Sequence, residues 1–206
     1  MKRIMIFNTI AILLIIIISY ISTPDNQVLS NHHLLIGFTS VIGFMAVLWI
    51  LSLIVKDASI VDIFWGPAFI VLSSSLLVAM DQVYSERSLF ILFLVSVWAL
   101  RLASHIGLRN IGHGEDFRYV EWREEGGKNY WWFSFFRVFL LQGALCTLVG
   151  LSIYFGYLNS APLSFLETMI CSSIFFVGLA WESISDLQLK SFKNNPSNKG
   201  KICKAG

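Results

Sequence analysis

The side chains best suited to chemistry form one stripe near the carboxyl end of the chain. The stripe follows a long apolar run, has spacings of four, four and three residues, and consists of Glu182, Asp186, Lys190 and Lys193. On an α-helix this spacing puts all four side chains on one face. Ionisable groups at a membrane boundary are costly unless they are paired, hydrated or bound to a ligand. The stripe is therefore a candidate site for a polar ligand, and a helix end whose charged side chains reach up to water is the alternative.

A second candidate is the segment 109–125, the one long polar stretch between apolar runs. Arg109 and Arg118 offer guanidinium groups that suit phosphates, and Glu115 and Asp116 can orient them or bind ribose hydroxyls. An amphipathic connector at the membrane interface is the alternative interpretation. The sequence has neither a GxGxxG motif that opens a helix after a strand nor a GxxxxGK[ST] motif. A bound nucleotide would therefore require something other than a Rossmann domain or a P-loop.

Two charged residues lie inside apolar sequence. Asp62 is about one turn into its apolar run, where an unpaired carboxylate costs roughly 3 kcal/mol. Arg101 lies within the next run and is equally costly to leave alone. The simplest hypothesis is an Asp62–Arg101 ion pair, and separate contacts with the membrane surface are the alternative. The serines of 73–75 are expected to bond back to their own helix.

The composition assigns the chain to the membrane proteins. Of its 206 residues 56% are hydrophobic, against about 45–50% in a typical soluble domain. A formal net charge of +2 gives no indication of a nucleic-acid partner. The three cysteines and four histidines have no ligand spacing, so neither a metal site nor a disulfide framework is expected.

The apolar runs predict an all-α, polytopic membrane bundle of about six spans. A span needs about 20 mostly apolar residues, and the runs that meet this length or approach it are 4–22, 34–55, 60–80, 88–107, 133–157 and 163–183. Lysine and arginine collect before the first span, after the second and fourth, and after the last, whereas the opposite loops contain only Arg87. Because short cytoplasmic loops are enriched in these residues, both termini are predicted to be cytoplasmic. The oligomeric state stays open.

From Ser59 onwards, an ordered set of motifs resembles a bacterial membrane family. The motifs are Ser59-Ile60-Val61-Asp62, Trp65-Gly66, Arg101-Leu102, Arg109-Asn110, Gly114-Glu115-Asp116-x-Arg118-Tyr119, Trp122-Arg123, Gln142-Gly143 and Glu182-x-x-x-Asp186-x-Gln188-Leu189. This uncharacterised family is related to the C-terminal domain of steroid 5-alpha-reductases. The resemblance divides one integral domain, 1–206, into a two-helix portion, 1–58, and a reductase-like region, 59–206. It implies a multi-pass protein of the bacterial inner membrane. It also implies that this protein binds NADPH from the cytoplasm and reduces an enone in a lipid-like substrate.

The resemblance also implies roles for individual residues. Ser185-Asp186-x-x-Leu189-Lys190-x-x-Lys193 is similar to the reductases' Ser-Asp-x-x-Leu-Arg-x-x-Arg segment, which contacts the cofactor's phosphates and adenosine. Its implied cofactor contacts are Asp186, Lys190, Lys193 and Asn195, with Arg109 and Arg118 at the cytoplasmic mouth. The candidates for the catalytic acid are Tyr119 and Glu182. Lysine keeps the charge of the reductases' arginines and loses their bidentate geometry, which leaves steroid specificity and the cofactor open.

Two alternatives to a reductase remain. Membrane methyltransferases that use S-adenosylmethionine resemble the family through a downstream Arg-His-Pro region, and a non-catalytic remnant or interaction protein is also compatible with the sequence. In the family, a segment like Asn195–Lys201 leads into an Arg-His-Pro-Asn-Tyr motif, whereas this sequence ends at Gly206. The resemblance thus predicts a truncated member or a fragment, with inactivity as one possibility. The lysine-rich tail is then expected to be the remaining part of a loop.

Overall fold

The structure is a computed structural model and describes residues 31–159 and 161–203. The described residues form helices and connections, without strands, as the sequence predicts. Five of the helical stretches are long and apolar enough to cross a membrane, in agreement with an integral membrane protein. They correspond to the second to sixth predicted spans. The first predicted span, 4–22, lies outside the described residues, and the orientation of the termini stays a prediction.

The chain folds as two compact units, Met1–Pro162 and Leu163–Gly206. The described helices of the first unit are α1 (Asn31–Val55), α2 (Ile60–Ala79), α3 (Glu86–Asn110), α4 (Phe117–Gly126), α5 (Tyr130–Ser134), α6 (Leu141–Val149) and α7 (Leu151–Tyr157). The second unit contains α8 (Phe165–Asn194) and a 3₁₀ turn, Pro196–Asn198. This division into compact units does not test the prediction of a single domain, which stays a prediction.

The segment from Phe117 to Tyr157 is helical almost throughout, although only 133–157 was predicted as a span. Its geometry changes along its length: a 3₁₀ turn, Gly127–Asn129, follows α4, and a π-helical stretch, Phe135–Leu140, follows α5. The polar helix α4 extends this segment beyond the length a membrane needs. Hydropathy alone marks the apolar part and leaves the polar extension out.

The core of the first unit lies where α1, α2 and the π-helical and α6 segments meet. Val41, Met45, Leu72, Leu76 and Phe139 are fully buried there. The buried apolar side chains come from segments that hydropathy marks as membrane-spanning, so the same helices provide the packing surface and the surface for lipid through different residues.

Helices α2 and α3 are in close backbone contact at Gly66. A Cβ atom on Gly66 would lie 2.7 Å from the carbonyl oxygen of Ala99. Small residues allow such backbone contact between membrane helices. The helix α2 continues through Pro67, and beside this contact Trp65, Phe69 and Trp98 pack edge to face with ring centroids 5.0–6.3 Å apart.

The serines of α2 behave in two ways. The Ser75 hydroxyl donates to the Leu72 carbonyl 2.9 Å away, which confirms the predicted bond to its own helix. The Ser73 hydroxyl instead lies 2.5 Å from the Tyr157 hydroxyl, and both residues are fully buried. For Ser73 the prediction was wrong, because α7 places a phenolic hydroxyl within reach of a serine that has no access to water.

Candidate functional site

A cluster of charged side chains joins the beginning of α2 to α4 and the loop before it. This polar cluster consists of Asp62, Glu115, Asp116, Arg118, Tyr119 and Arg123. Asp62 comes from the apolar run of α2, and the other members come from the polar segment 109–125. All of them lie at the end of the first unit where α1 and α3 terminate and α2 begins. The cluster has two halves, one built around Asp62 and one around Glu115.

The Asp62 half explains how a carboxylate is tolerated inside apolar sequence. Its Oδ2 accepts a hydrogen bond from Arg118 Nη2 at 3.0 Å, and its Oδ1 accepts one from the Tyr119 hydroxyl at 2.7 Å. Asp116 caps α4, since its Oδ1 accepts from the Arg118 backbone N–H at 3.0 Å and from Arg118 Nε at 2.9 Å. The hydrogen bond from Arg118 holds the pKa of Asp116 below its ordinary value. Asp62 therefore has two partners, while its pairing with Arg101 stays a prediction.

The Glu115 half connects the loop before α4 to the turn between α1 and α2. Glu115 Oε1 accepts from the Ala58 backbone N–H at 2.7 Å, and the carboxylate receives two hydrogen bonds from Arg123, at 2.8 and 2.9 Å. The Glu115 side chain is only 9% exposed. Bidentate pairs of this kind are among the stronger charge-assisted contacts, so this half fixes the position of α4 against α2.

The contacts of Arg118 bear on its predicted role as a phosphate ligand. Two carboxylates, Asp62 and Asp116, already accept hydrogen bonds from its guanidinium group. A phosphate there would compete with both acids. The positive charge of Arg109, exposed at the end of α3, makes a smaller contribution to the lowered pKa of Asp116. The arrangement is nearly charge-balanced without a ligand, and cofactor binding by Arg109 and Arg118 stays a prediction.

Tyr119 also differs from a typical acid catalyst. It is 2% exposed, and its hydroxyl donates to Asp62. It lies on α4, whose charged residues, Arg118, Glu121, Arg123, Glu124 and Glu125, place this helix outside the apolar part of its segment. Burial and the adjacent Asp62 carboxylate raise the pKa of the Tyr119 hydroxyl, which makes it a weaker proton donor.

In the second unit, the predicted stripe lies on one continuous helix. The helix α8 extends to Asn194, so Glu182, Asp186, Lys190 and Lys193 share the face that their spacing predicts. Glu182 and Asp186 are half-buried, whereas the two lysines are exposed. No residue of α8 is fully buried by the described part of the chain. The polar end of the helix follows directly on its apolar part.

A pocket of about 410 Å³ lies where α8 ends. It is lined by Leu189, Phe192, Lys193, Asn195, Pro196, Asn198, Lys199, Gly200, Lys201 and Cys203, and we call it the lysine pocket. Two predicted cofactor ligands, Lys193 and Asn195, are among these residues. Asn195 Oδ1 accepts from the backbone N–H and the hydroxyl of Ser197 at 3.1 and 2.8 Å, so it also shapes the turn.

Sequence reasoning missed Lys199 and Lys201, which it assigned to a loop remnant. The available signal was the charge pattern: between Leu187 and Cys203 the chain has four lysines and no acidic residue. In the described part of the chain there is also no group of three His, Cys, Asp or Glu side chains that could hold a metal ion. Positive charge is thus the main chemical property of the lysine pocket.

A family model described as a protein of unknown function, DUF1295, matches residues 48–206. The chain belongs to the DUF1295 family. No curated protein and no solved structure matches it. The DUF1295 match contains the polar cluster, the α8 stripe and the lysine pocket, and it begins within α1. Both candidate sites are therefore parts of the family's domain.

Proposed function

We propose that this DUF1295 protein is a membrane oxidoreductase that resembles the steroid 5-alpha-reductases, with NADPH as its cofactor and a lipid-like enone as its substrate. The observation that carries the proposal is the end of α8, where predicted cofactor ligands lie beside a cavity. Lys193 and Asn195 line the lysine pocket, and Asp186 and Lys190 lie on the preceding turns of the same helix. The lining of the lysine pocket contains ammonium groups and no carboxylate, which fits the phosphates of a dinucleotide.

The proposed division of labour follows the chemistry of each side chain. Lys190 and Lys193 bind the anionic phosphates, and Asp186 accepts hydrogen bonds from ribose hydroxyls. NADPH supplies a hydride when it is bound. The apolar part of α8 offers a surface for a lipid-like substrate in the membrane. This arrangement suits a reaction between a water-soluble cofactor and a substrate that stays in the bilayer.

Of the two acid candidates, we favour Glu182 as the group that protonates or polarises the substrate carbonyl. Tyr119 is buried, its hydroxyl donates to Asp62, and its pKa is raised. Glu182 is half-buried and lies one turn before Asp186. It thus lies on the same face of α8 as Asp186 and Lys190, where we propose that the cofactor binds.

Replacing Asp186 or Lys190 with alanine is expected to weaken NADPH binding by about tenfold or more, because each change removes a charge-assisted contact. Isothermal titration of detergent-purified protein measures the dissociation constant directly. Lys128→Ala is the matched control, since it removes one exposed lysine from the first unit. Equal affinity in all four proteins would contradict the assignment of the cofactor to α8.

We further propose that the end of the first unit with the polar cluster faces the cytoplasm. The helix ends and connections there contain Lys56, Arg109 and Lys128, in keeping with the enrichment of basic residues on the cytoplasmic side. The exposed Tyr84 lies in the connection between α2 and α3, at the opposite end.

Cysteine labelling of intact cells tests this orientation. With Cys171 and Cys203 replaced by serine, a membrane-impermeant maleimide is expected to label Tyr84→Cys in intact cells and Lys128→Cys only after lysis. Cys146 is buried and can remain. The reverse labelling pattern would show that the polar cluster faces the outside.

A further inference from the structure

We propose that Lys193, Lys199 and Lys201 together form a binding site for a phosphate group in the lysine pocket. Only NADPH as a ligand of this site rests on the proposed function, because NADPH is one molecule that carries such a phosphate group. The phosphate of a lipid headgroup is the other source with the same chemistry, because the pocket follows directly on a helix long and apolar enough to span a membrane.

The turn after α8 brings the three lysines to one cavity. Lys193 belongs to the last turn of the helix, and the backbone then passes through the 3₁₀ turn and Gly200, which has a φ of +77°. A left-handed conformation of this kind favours glycine. It reverses the chain, so that Lys199 and Lys201 line the same cavity as Lys193.

Hydrogen bonds hold this turn in place. The Asn198 side-chain amide donates to the Phe192 carbonyl at 2.9 Å, which ties the turn back to the end of α8. The backbone N–H of Lys201 donates to the Asn198 carbonyl at 2.9 Å, and that of Lys199 donates to the Pro196 carbonyl at 3.2 Å. The lysine pocket is therefore built by specific contacts on both sides of the turn.

The charges of the pocket are uncompensated by its own residues. Its lining contains three ammonium groups and no carboxylate, and in the part of the chain that the structure describes no ion pair involves them. The carbonyl end of α8 offsets part of the charge on Lys193. Binding an anion would relieve the mutual repulsion of the three groups.

A phosphate monoester suits this pocket better than other anions. It carries about two negative charges near neutral pH and three acceptor oxygens, and lysine is a common phosphate ligand that acts as a point charge. A cavity of about 410 Å³ has room for a phosphate with an attached sugar. The net charge of +2 for the whole chain does not favour a polyanion such as nucleic acid.

The test compares the purified chain with a Lys199→Ala/Lys201→Ala double variant, with Lys128→Ala as the control. The probes are inorganic phosphate, NADPH, NADH, and short-chain phosphatidic acid against phosphatidylcholine of equal chain length. NADPH and NADH differ by one phosphate monoester. We expect the double variant to bind NADPH about tenfold more weakly or worse and to lose its preference for NADPH over NADH. A Lys199→Arg/Lys201→Arg variant keeps the charge and should keep the preference.

The different probes distinguish a failure of the phosphate site from a failure of the proposed function. If NADPH fails to bind and phosphatidic acid binds in a lysine-dependent manner, the phosphate site stands with a lipid as its ligand, and the reductase proposal fails. If NADPH binds the wild type and the double variant equally, the reductase proposal stands and the site at Lys199 and Lys201 is refuted. Unchanged affinity of every probe in the double variant likewise refutes it.

Discussion

Replacing Glu115 with alanine is expected to lower the free energy of unfolding by about 3 kcal/mol, because it breaks a largely buried pair and leaves three N–H donors without this acceptor. The Glu115 carboxylate accepts from Arg123 Nε and Nη2 and from the Ala58 backbone N–H. The Arg123 side chain is 34% exposed, so water compensates part of the loss. Thermal unfolding of the detergent-purified protein measures the effect.

The control for this prediction is Glu124→Ala, which removes the same group from an exposed position on α4. Surface substitutions of this kind change stability by about 0.5 kcal/mol or less. A melting temperature lowered equally in both variants would mean that general charge, rather than the hydrogen bonds of Glu115, determines the effect. It would also show that the polar cluster does not determine the position of α4.

Replacing Gly66 with alanine is expected to destabilise the first unit by about 3 kcal/mol, at the upper end of the usual cost of overpacking. The new Cβ atom would lie 2.7 Å from the Ala99 carbonyl oxygen and 3.2 Å from the Ala99 Cα atom. Both atoms are backbone, so no flexible side chain can move away. Helices α2 and α3 must therefore separate. This movement also displaces Asp62, which lies one turn before Gly66 on α2.

Gly43→Ala is the matched control, because a Cβ atom there meets no neighbour within 4 Å. Alanine is the better helix former, so this variant is expected to be as stable as the wild type or slightly more stable. The same thermal unfolding experiment compares the two. If Gly66→Ala melts at the temperature of Gly43→Ala, the close contact between α2 and α3 is not present in the protein.

The apolar spans could be predicted because they depend on local composition. The runs 34–55, 60–80 and 88–107 lie close to α1, α2 and α3, since about 20 apolar residues in sequence have one common structural solution in a membrane. The stripe on α8 was predictable for a similar reason, because the spacing of side chains on a helix is fixed. The changes from 3₁₀ to α to π geometry between Gly127 and Leu140 have no comparable signal in composition.

The contacts of the polar cluster could not be predicted in the same way. The sequence shows that Asp62 needs a partner, but the residue that supplies it depends on how α4 docks. Arg118 and Tyr119 follow Asp62 by more than fifty positions, and nothing local distinguishes them from Arg101. The lysine pocket was missed because it depends on a chain reversal at Gly200, whose φ the sequence does not reveal.

The measurement that tests the proposed function most directly is a pair of isothermal titrations of the purified wild-type chain, one with NADPH and one with S-adenosylmethionine. We expect saturable binding of NADPH and none of S-adenosylmethionine, because the ammonium groups at the end of α8 attract phosphates, which NADPH has and S-adenosylmethionine lacks. Saturable binding of S-adenosylmethionine alone would contradict the account and favour a methyltransferase. Binding of neither would contradict it in favour of a non-catalytic membrane protein.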